Sequence, residues 1–261
     1  MTLILTEVCV LGVAMAADSA VTSCLRLPNR EPIIQVLTGV QKLQYIPKIN
    51  AGISCWGLGE INQVPLDIWL KEFINDRREE YDSLENFAHL LQNILREELG
   101  SLVDPPDEDI SYGTIGFHLA GIEEFNGQPT AHFFHIHNGE SEALRLRGQS
   151  INPHTINANH DFTPERFQRL QRGMSYRTRN GDIRMYAELS KRLQDFFNEM
   201  AKTMGVRIPT VRHISEISEW LKFQIQLIAD LYEFSNLQNT IGGNIDTLWI
   251  GLDGSNHLSR R

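Results

Sequence analysis

No stretch of this 261-residue chain is long and apolar enough to span a bilayer, because the N-terminal run MTLILTEVCVLGVAMAADS is cut by Glu7 and Asp18. No Lys or Arg precedes that run. Ala14-Met15-Ala16-Ala17 before Asp18 therefore lacks the charged flank that a secretory signal peptide needs. Basic residues are outnumbered, 24 Lys and Arg against 33 Asp and Glu, and the net charge is −9. A nucleic-acid binder would show a basic face, and the Arg260-Arg261 pair is too small to make one. Cysteine is scarce, and the odd set Cys9, Cys24 and Cys55 has neither disulfide arithmetic nor metal-ligand spacing. Reduced thiols in a cytoplasmic protein are expected. No internal repeat at a fixed period is visible. What remains is an ordinary globular composition, 41% hydrophobic and 22% charged. The length suits one large domain, expected over residues 1–261.

Alternation of apolar and polar residues predicts strands first. Residues 3–25 read as a hairpin pair turning near Leu11-Gly12, with Val8, Val10, Val13 and Met15 buried. A connection with Pro28, Pro32 and Gly39 comes next, then a second strand pair in GVQKLQYIPKINAGISCWG. Helical spacing of apolar residues predicts helices at about 65–79 and 83–99, with Asp82 or Ser83 as the cap of the second. DPPDED at 104–109 reads as an acidic loop. Strands at 111–123 and 129–138 are joined by the Asn126-Gly127 turn signal. Residues 139–182 give no clear pattern. Helices return at 183–204 and 215–236, and one apolar strand ends the chain. Runs of each element type suggest helices on the outsides of stacked sheets, not a βαβ repeat.

Two clusters need weighing. His132, His135 and His137 invite a metal reading, but on one strand His132 faces away from the other two, so no metal and no cofactor is expected. RLRGQS and YRTRNGDIR are Arg-rich pieces that read as solvated faces or subunit contacts.

The chemistry is concentrated at the start. If Met1 is removed, Thr2 carries a hydroxyl nucleophile and an amine base on one residue. An α-amine, with an ordinary pKa of about 8, is partly neutral at physiological pH and can accept the hydroxyl proton. A lysine nearby, Lys42, would lower the pKa of both groups. A buried lysine needs a counter-charge, and Asp18 supplies one. The Gly57 N–H can donate to an oxyanion at a place where a side chain would obstruct the substrate. Taken singly, Asp18 reads as a turn acid, Lys42 as an edge lysine and Gly57 as a turn glycine.

Taken together, VLGVAMAADSAVTS, QKLQYIPKINAGISCWGLG and IGGNIDTLWI resemble the proteasome β-subunit family of N-terminal-nucleophile (Ntn) hydrolases, of the bacterial proteasome-homologue type. Thr2, Gly12, Asp18-Ser19, Lys42 and Gly57 fill the family's places in order, with extra residues around 26–39. The resemblance covers about the first 75 residues and the last 15 or so, and the middle matches only in the order of its elements. It implies an α+β fold, the four-layer α/β/β/α Ntn-hydrolase sandwich. It also implies a threonine-type peptidase with Thr2, Asp18, Lys42 and Gly57 as catalytic residues. The substrate would be a peptide or unfolded protein. The implied partners are further copies in a homo-oligomeric ring, with an ATP-dependent unfoldase as a candidate; no nucleic acid or membrane is implied. Three departures stand against it. Gln238 and Ile241 occupy the places of the family's second acid and hydroxyl, with Thr240 one residue away. The family's serine-bearing glycine loop is not found in 139–182. Lys48 competes with Lys42 for the lysine role. A small-molecule amidase and an inactive assembly protein are the alternatives.

Overall fold

The computed structural model describes residues 2–25, 33–100, 114–138, 156–181, 184–205, 211–235 and 240–260. The acidic stretch at 104–109, residues 139–155 and Gln238 lie outside them. Strands β1 (Leu3–Cys9), β2 (Gly12–Asp18), β3 (Val21–Leu25) and β4 (Ile33–Leu37) open the chain. Next come β5 (Leu43–Ile46), β6 (Ala51–Gly57), β7 (Glu60–Ile61) and β8 (Val64–Pro65). Helices α1 (Leu66–Asp76) and α2 (Leu84–Gly100) lead to β9 (Ile115–Phe125) and β10 (Gln128–His137). The chain continues through β11 (Asn157–His160), α3 (Pro164–Gln171), β12 (Tyr176–Gly181), α4 (Arg184–Thr203) and α5 (Ile214–Phe234), and β13 (Ile245–Gly251) and β14 (Asn256–Ser259) close it.

One five-stranded antiparallel sheet has the order β12-β1-β2-β13-β14 and the other β11-β10-β9-β6-β5. The pairs β3-β4 and β7-β8 form two further small sheets. Every residue of β1 and β2 is buried, because both faces of these central strands are covered. Ile4, Val8, Val13 and Met15 turn toward the second sheet, where they meet Leu43, Ala120 and Phe133. Leu3, Leu5, Ala14 and Ala16 turn the other way, onto Leu221, Ile225 and Ile228 of α5. The outer face of the second sheet, with Ile53, Phe117 and Leu119, packs on α1 and α2 through Leu70, Phe87, Leu91 and Leu95.

The expected α+β four-layer α/β/β/α Ntn-hydrolase sandwich is corrected by this arrangement. The structure is a mixed α/β fold with several antiparallel sheets and, among the described residues, five α-helices. Among the described residues, two of the four sheets are separate two-stranded ribbons. Helix α3 sends Leu170 into the cluster between the large sheets instead of covering an outer face. Helix α4 is largely exposed along its length.

Local signals act where the spacing predicts them. Ser83 Oγ accepts the Asn86 N–H at the start of α2, and Glu123 Oε1 takes the Leu84 N–H at 2.6 Å. Asn126 and Gly127 both have positive φ, 53° and 75°, as a two-residue hairpin turn requires. Val10, expected to be buried, is exposed in the turn after β1. The hairpin expected over 3–25 holds three strands, the third pairing with β4. In the stretch without a readable pattern, β12 closes the edge of the first sheet against β1.

Candidate active site

Asp18 ends β2 and is 1% exposed. Its carboxylate is held by four donors. Oδ1 accepts the Leu3 N–H and the Lys42 ammonium, both at 2.9 Å. Oδ2 accepts the N–H groups of Ala20 and Gly242, both at 3.2 Å. Lys42 Nζ also donates to the Ala20 carbonyl. One carboxylate thus ties together the residue after Thr2, the lysine before β5 and the glycine turn before β13. Ser19 reinforces the junction, donating its N–H to the Gly242 carbonyl and accepting the Gly39 N–H at Oγ.

Lys42 is 3% exposed. Burial pushes its ammonium below its ordinary pKa, while Asp18 pulls in the opposite direction. Lys48 is placed elsewhere. Its ammonium donates to the Arg78 carbonyl at 2.6 Å and lies 5.5 Å from the centre of the Tyr81 ring.

A small cleft is shared by Thr2, Lys42, Cys55 and Gly57, with walls of Val21, Val40, Trp56, Leu58 and Leu66. Thr2 itself is buried. The Cys55 N–H donates back to the Lys42 carbonyl, and the Leu58 N–H donates to the Thr114 carbonyl just before β9. Donors alternate in direction along a strand, so the Gly57 N–H lies on the same side of β6 as that of Cys55, away from β9. The glycine is required by the backbone: its φ is +97°, and a Cβ would lie 1.7 Å from the Thr114 carbonyl oxygen. This is a different reason from substrate access. Cys55 is no rival nucleophile, since burial pushes its thiol up to about 12 despite the lysine alongside. Thr22 Oγ1, beside the cleft, is buried with no hydrogen-bond partner among the described residues.

Other candidates fall outside this junction. Ile241 is buried in the apolar cluster beneath α5, and Thr240 is buried beside it. His132 and His135 point to opposite faces of β10: His132 Nδ1 meets His160 Nε2 at 3.1 Å, and His135 packs on His118. Among the described residues no group of three or more His, Cys, Asp or Glu is arranged to hold a metal ion. None of their helices is long and apolar enough to cross a membrane. Sequence reasoning missed the Gly242 N–H as a donor to Asp18. The Gly242-Gly243 pair was the available signal, since a positive-φ turn exposes its amides. It also missed Gly181, whose absent Cβ would lie 1.6 Å from the Thr2 carbonyl oxygen.

No protein-family profile matches the sequence, and no curated protein matches it. Solved structures do. Anbu (ancestral beta-subunit) from Yersinia bercovieri aligns with a TM-score of 0.51 at 14% identity, over 99% of this chain and 86% of that one. An Anbu mutant from Hyphomicrobium sp. strain MC1 aligns with a TM-score of 0.48 at 13% identity, over 100% of this chain and 87% of that one. The expected membership of the Ntn hydrolases, of the bacterial proteasome-homologue type, is corrected accordingly. At such identity the likeness concerns the fold alone, and nothing in it is specific to Ntn hydrolases. The chain shares the fold of the Yersinia bercovieri Anbu protein.

Proposed function

We propose that this protein hydrolyses amide bonds of peptides or unfolded proteins, with Thr2 as nucleophile once Met1 is removed. The observation that carries the reading is the Asp18 carboxylate, which grips both the Lys42 ammonium and the amide of the residue after Thr2. Lysine charge is thereby fixed next to the N-terminal segment, in a cleft that Thr2 also lines. In the reaction the Thr2 amine takes the Oγ proton, and Oγ bonds to the carbonyl carbon. The Gly57 N–H receives the negative oxygen. The C–N bond then breaks as the amine returns the proton to the leaving nitrogen, and water releases the acyl group by the same steps. The buried Lys42 charge lowers the proton affinity of amine and hydroxyl alike.

We further propose a homo-oligomer, in which enclosure keeps the nucleophile from folded proteins. Phe196 on α4 and Phe223 on α5 are 56% and 48% exposed and are joined by ring contacts through Phe197 and Trp220, an apolar surface suited to a second copy. An unfoldase partner and a cytoplasmic location belong to this reading. Light scattering behind size exclusion tests the assembly, and a stable monomer or dimer would discard enclosure in favour of a small-molecule amidase. A second reading, an inactive assembly protein, rests on Ile241, which offers no hydroxyl and points into the core.

A threonine-directed electrophile followed by intact-mass measurement and peptide mapping tests the chemistry. The expected label is one per chain, on Thr2, and absent in Lys42→Ala. Met1 retained on most molecules, or a label elsewhere, overturns the proposal and favours the second reading.

A further inference from the structure

His118 lies in β9 and is completely buried between the two large sheets. It makes two hydrogen bonds to the opposite sheet. Nδ1 is 2.9 Å from Thr6 Oγ1 on β1, and Nε2 is 2.6 Å from Asn180 Oδ1 on β12. An amide oxygen only accepts, so Nε2 carries the hydrogen and Nδ1 accepts from the threonine hydroxyl. The imidazole is neutral and both its nitrogens are used. Burial agrees, holding its pKa down at about 4.

Of the strands it joins, β1 begins directly after Thr2 and β12 pairs with β1 at that end. Asn180 pairs with Ile4 and Gly181 with Leu3. Gly181 lies so close to the Thr2 carbonyl that no side chain fits between them. Among the described residues β12 is an edge strand, paired on one side only, and its inward residues are half-buried. The Arg177–Glu7 ion pair ties β12 to β1 four residues from Gly181, and His118 supplies the buried side-chain tie at the Gly181 end, where the strand meets Thr2. The side chains around the imidazole are Phe133 at 5.1 Å and His135 at 5.2 Å between ring centres, with Ser54 opposite on β6. None replaces either hydrogen bond.

We propose that His118 is a positioning residue: acting through Thr6 and Asn180, it locks the β1-β12 edge and so sets where Thr2 stands relative to Lys42 and Gly57. The role rests on the reading of Thr2 as nucleophile. His118 touches neither substrate nor reacting atoms, so its loss should slow chemistry without weakening binding.

The test uses the full-length chain and its His118→Phe, His118→Gln, Asn180→Ala and His118→Phe/Asn180→Ala variants. Phe keeps a ring and removes both bonds; Gln keeps one donor and one acceptor. A leucine-bearing peptidyl epoxyketone serves as probe, its binding and bond-forming steps separated by the concentration dependence of Thr2 labelling. Hydrogen exchange of residues 2–9 and 174–181 reads the strand edge independently of chemistry. The expected result is a roughly ten- to hundredfold slower bond-forming step in His118→Phe and Asn180→Ala, with probe binding unchanged. The double variant should be no slower than His118→Phe, which already lacks both bonds. His118→Gln should recover part of the rate, and exchange should quicken in the two segments. If His118→Phe does not fold, Asn180→Ala at the sheet edge carries the comparison. Labelling at the wild-type rate in either variant, or a change confined to binding, overturns the proposal. If the wild-type chain is not labelled, the functional reading fails by itself. The exchange arm then decides for His118, and unchanged exchange overturns its role.

Discussion

Asp18→Asn is the most informative single change, because four donors converge on two oxygens and the variant leaves one. The replacement keeps shape and volume. Its amide nitrogen must face either the Leu3 N–H and Lys42 ammonium, or the N–H groups of Ala20 and Gly242. Either orientation sets donor against donor and leaves Lys42 without its counter-charge at 3% exposure. Breaking a buried pair from one side costs about 3–5 kcal/mol. Against a total of about 5–15 kcal/mol, most molecules stay folded but with a much smaller margin. The loss should depend on pH. Burial already lowers the folded-state pKa of Lys42, and removing Asp18 deletes the main opposing influence, so it falls further. Between that value and the unfolded one, the unfolded chain binds the extra proton. Unfolding free energy then rises with pH, by up to about 1.4 kcal/mol per unit. Urea denaturation of wild type and variant at pH 6, 7, 8 and about 9 measures this. The expected deficit is largest at the acid end of that series and shrinks toward the alkaline end. A variant within about 1 kcal/mol of wild type at every pH would refute the view of Asp18 as the anchor of this junction.

Lys42→Ala should abolish Thr2 labelling while circular dichroism stays native, because Asp18 keeps three backbone donors; Lys48→Ala should label normally, and the reverse pattern would transfer the role to Lys48. Gly57→Ala should cost about 1–3 kcal/mol in urea denaturation, from a side chain forced to φ +97° and into the Thr114 carbonyl, and an unchanged midpoint would contradict the strain argument. His118 and His132 are each held down to about 4 by burial, so they stay neutral in the fold but take protons when unfolded. Their contribution is complete above about pH 6.5 and lost progressively as pH falls toward about 4. A wild-type urea midpoint that does not fall over that range would show that the pair carries no such linkage.

The sequence by itself determined the local elements that rest on short-range physics. Apolar residues three and four apart along 84–100 commit that segment to an amphipathic helix, Ser83 sits where a helix N-cap belongs, and Asn126-Gly127 suits a tight turn whatever surrounds it. Thr2, Asp18, Lys42 and Gly57 were legible as candidates only jointly, through the resemblance that their order and spacing carry, because each alone reads as an ordinary turn or strand-edge residue. Tertiary structure decided the rest. Whether Asp18 meets Lys42 or Lys48 depends on which lysine the β5-β6 pairing turns inward, and the side-chain alternation of either would have satisfied the pattern. β12 carries polar residues on both faces, so no apolar period marks it; it is a strand because β1 offers it an edge and His118 reaches it across the sheets. The layer arrangement likewise depended on where α3 and the two small ribbons found room, a matter of packing between distant segments that no local period encodes.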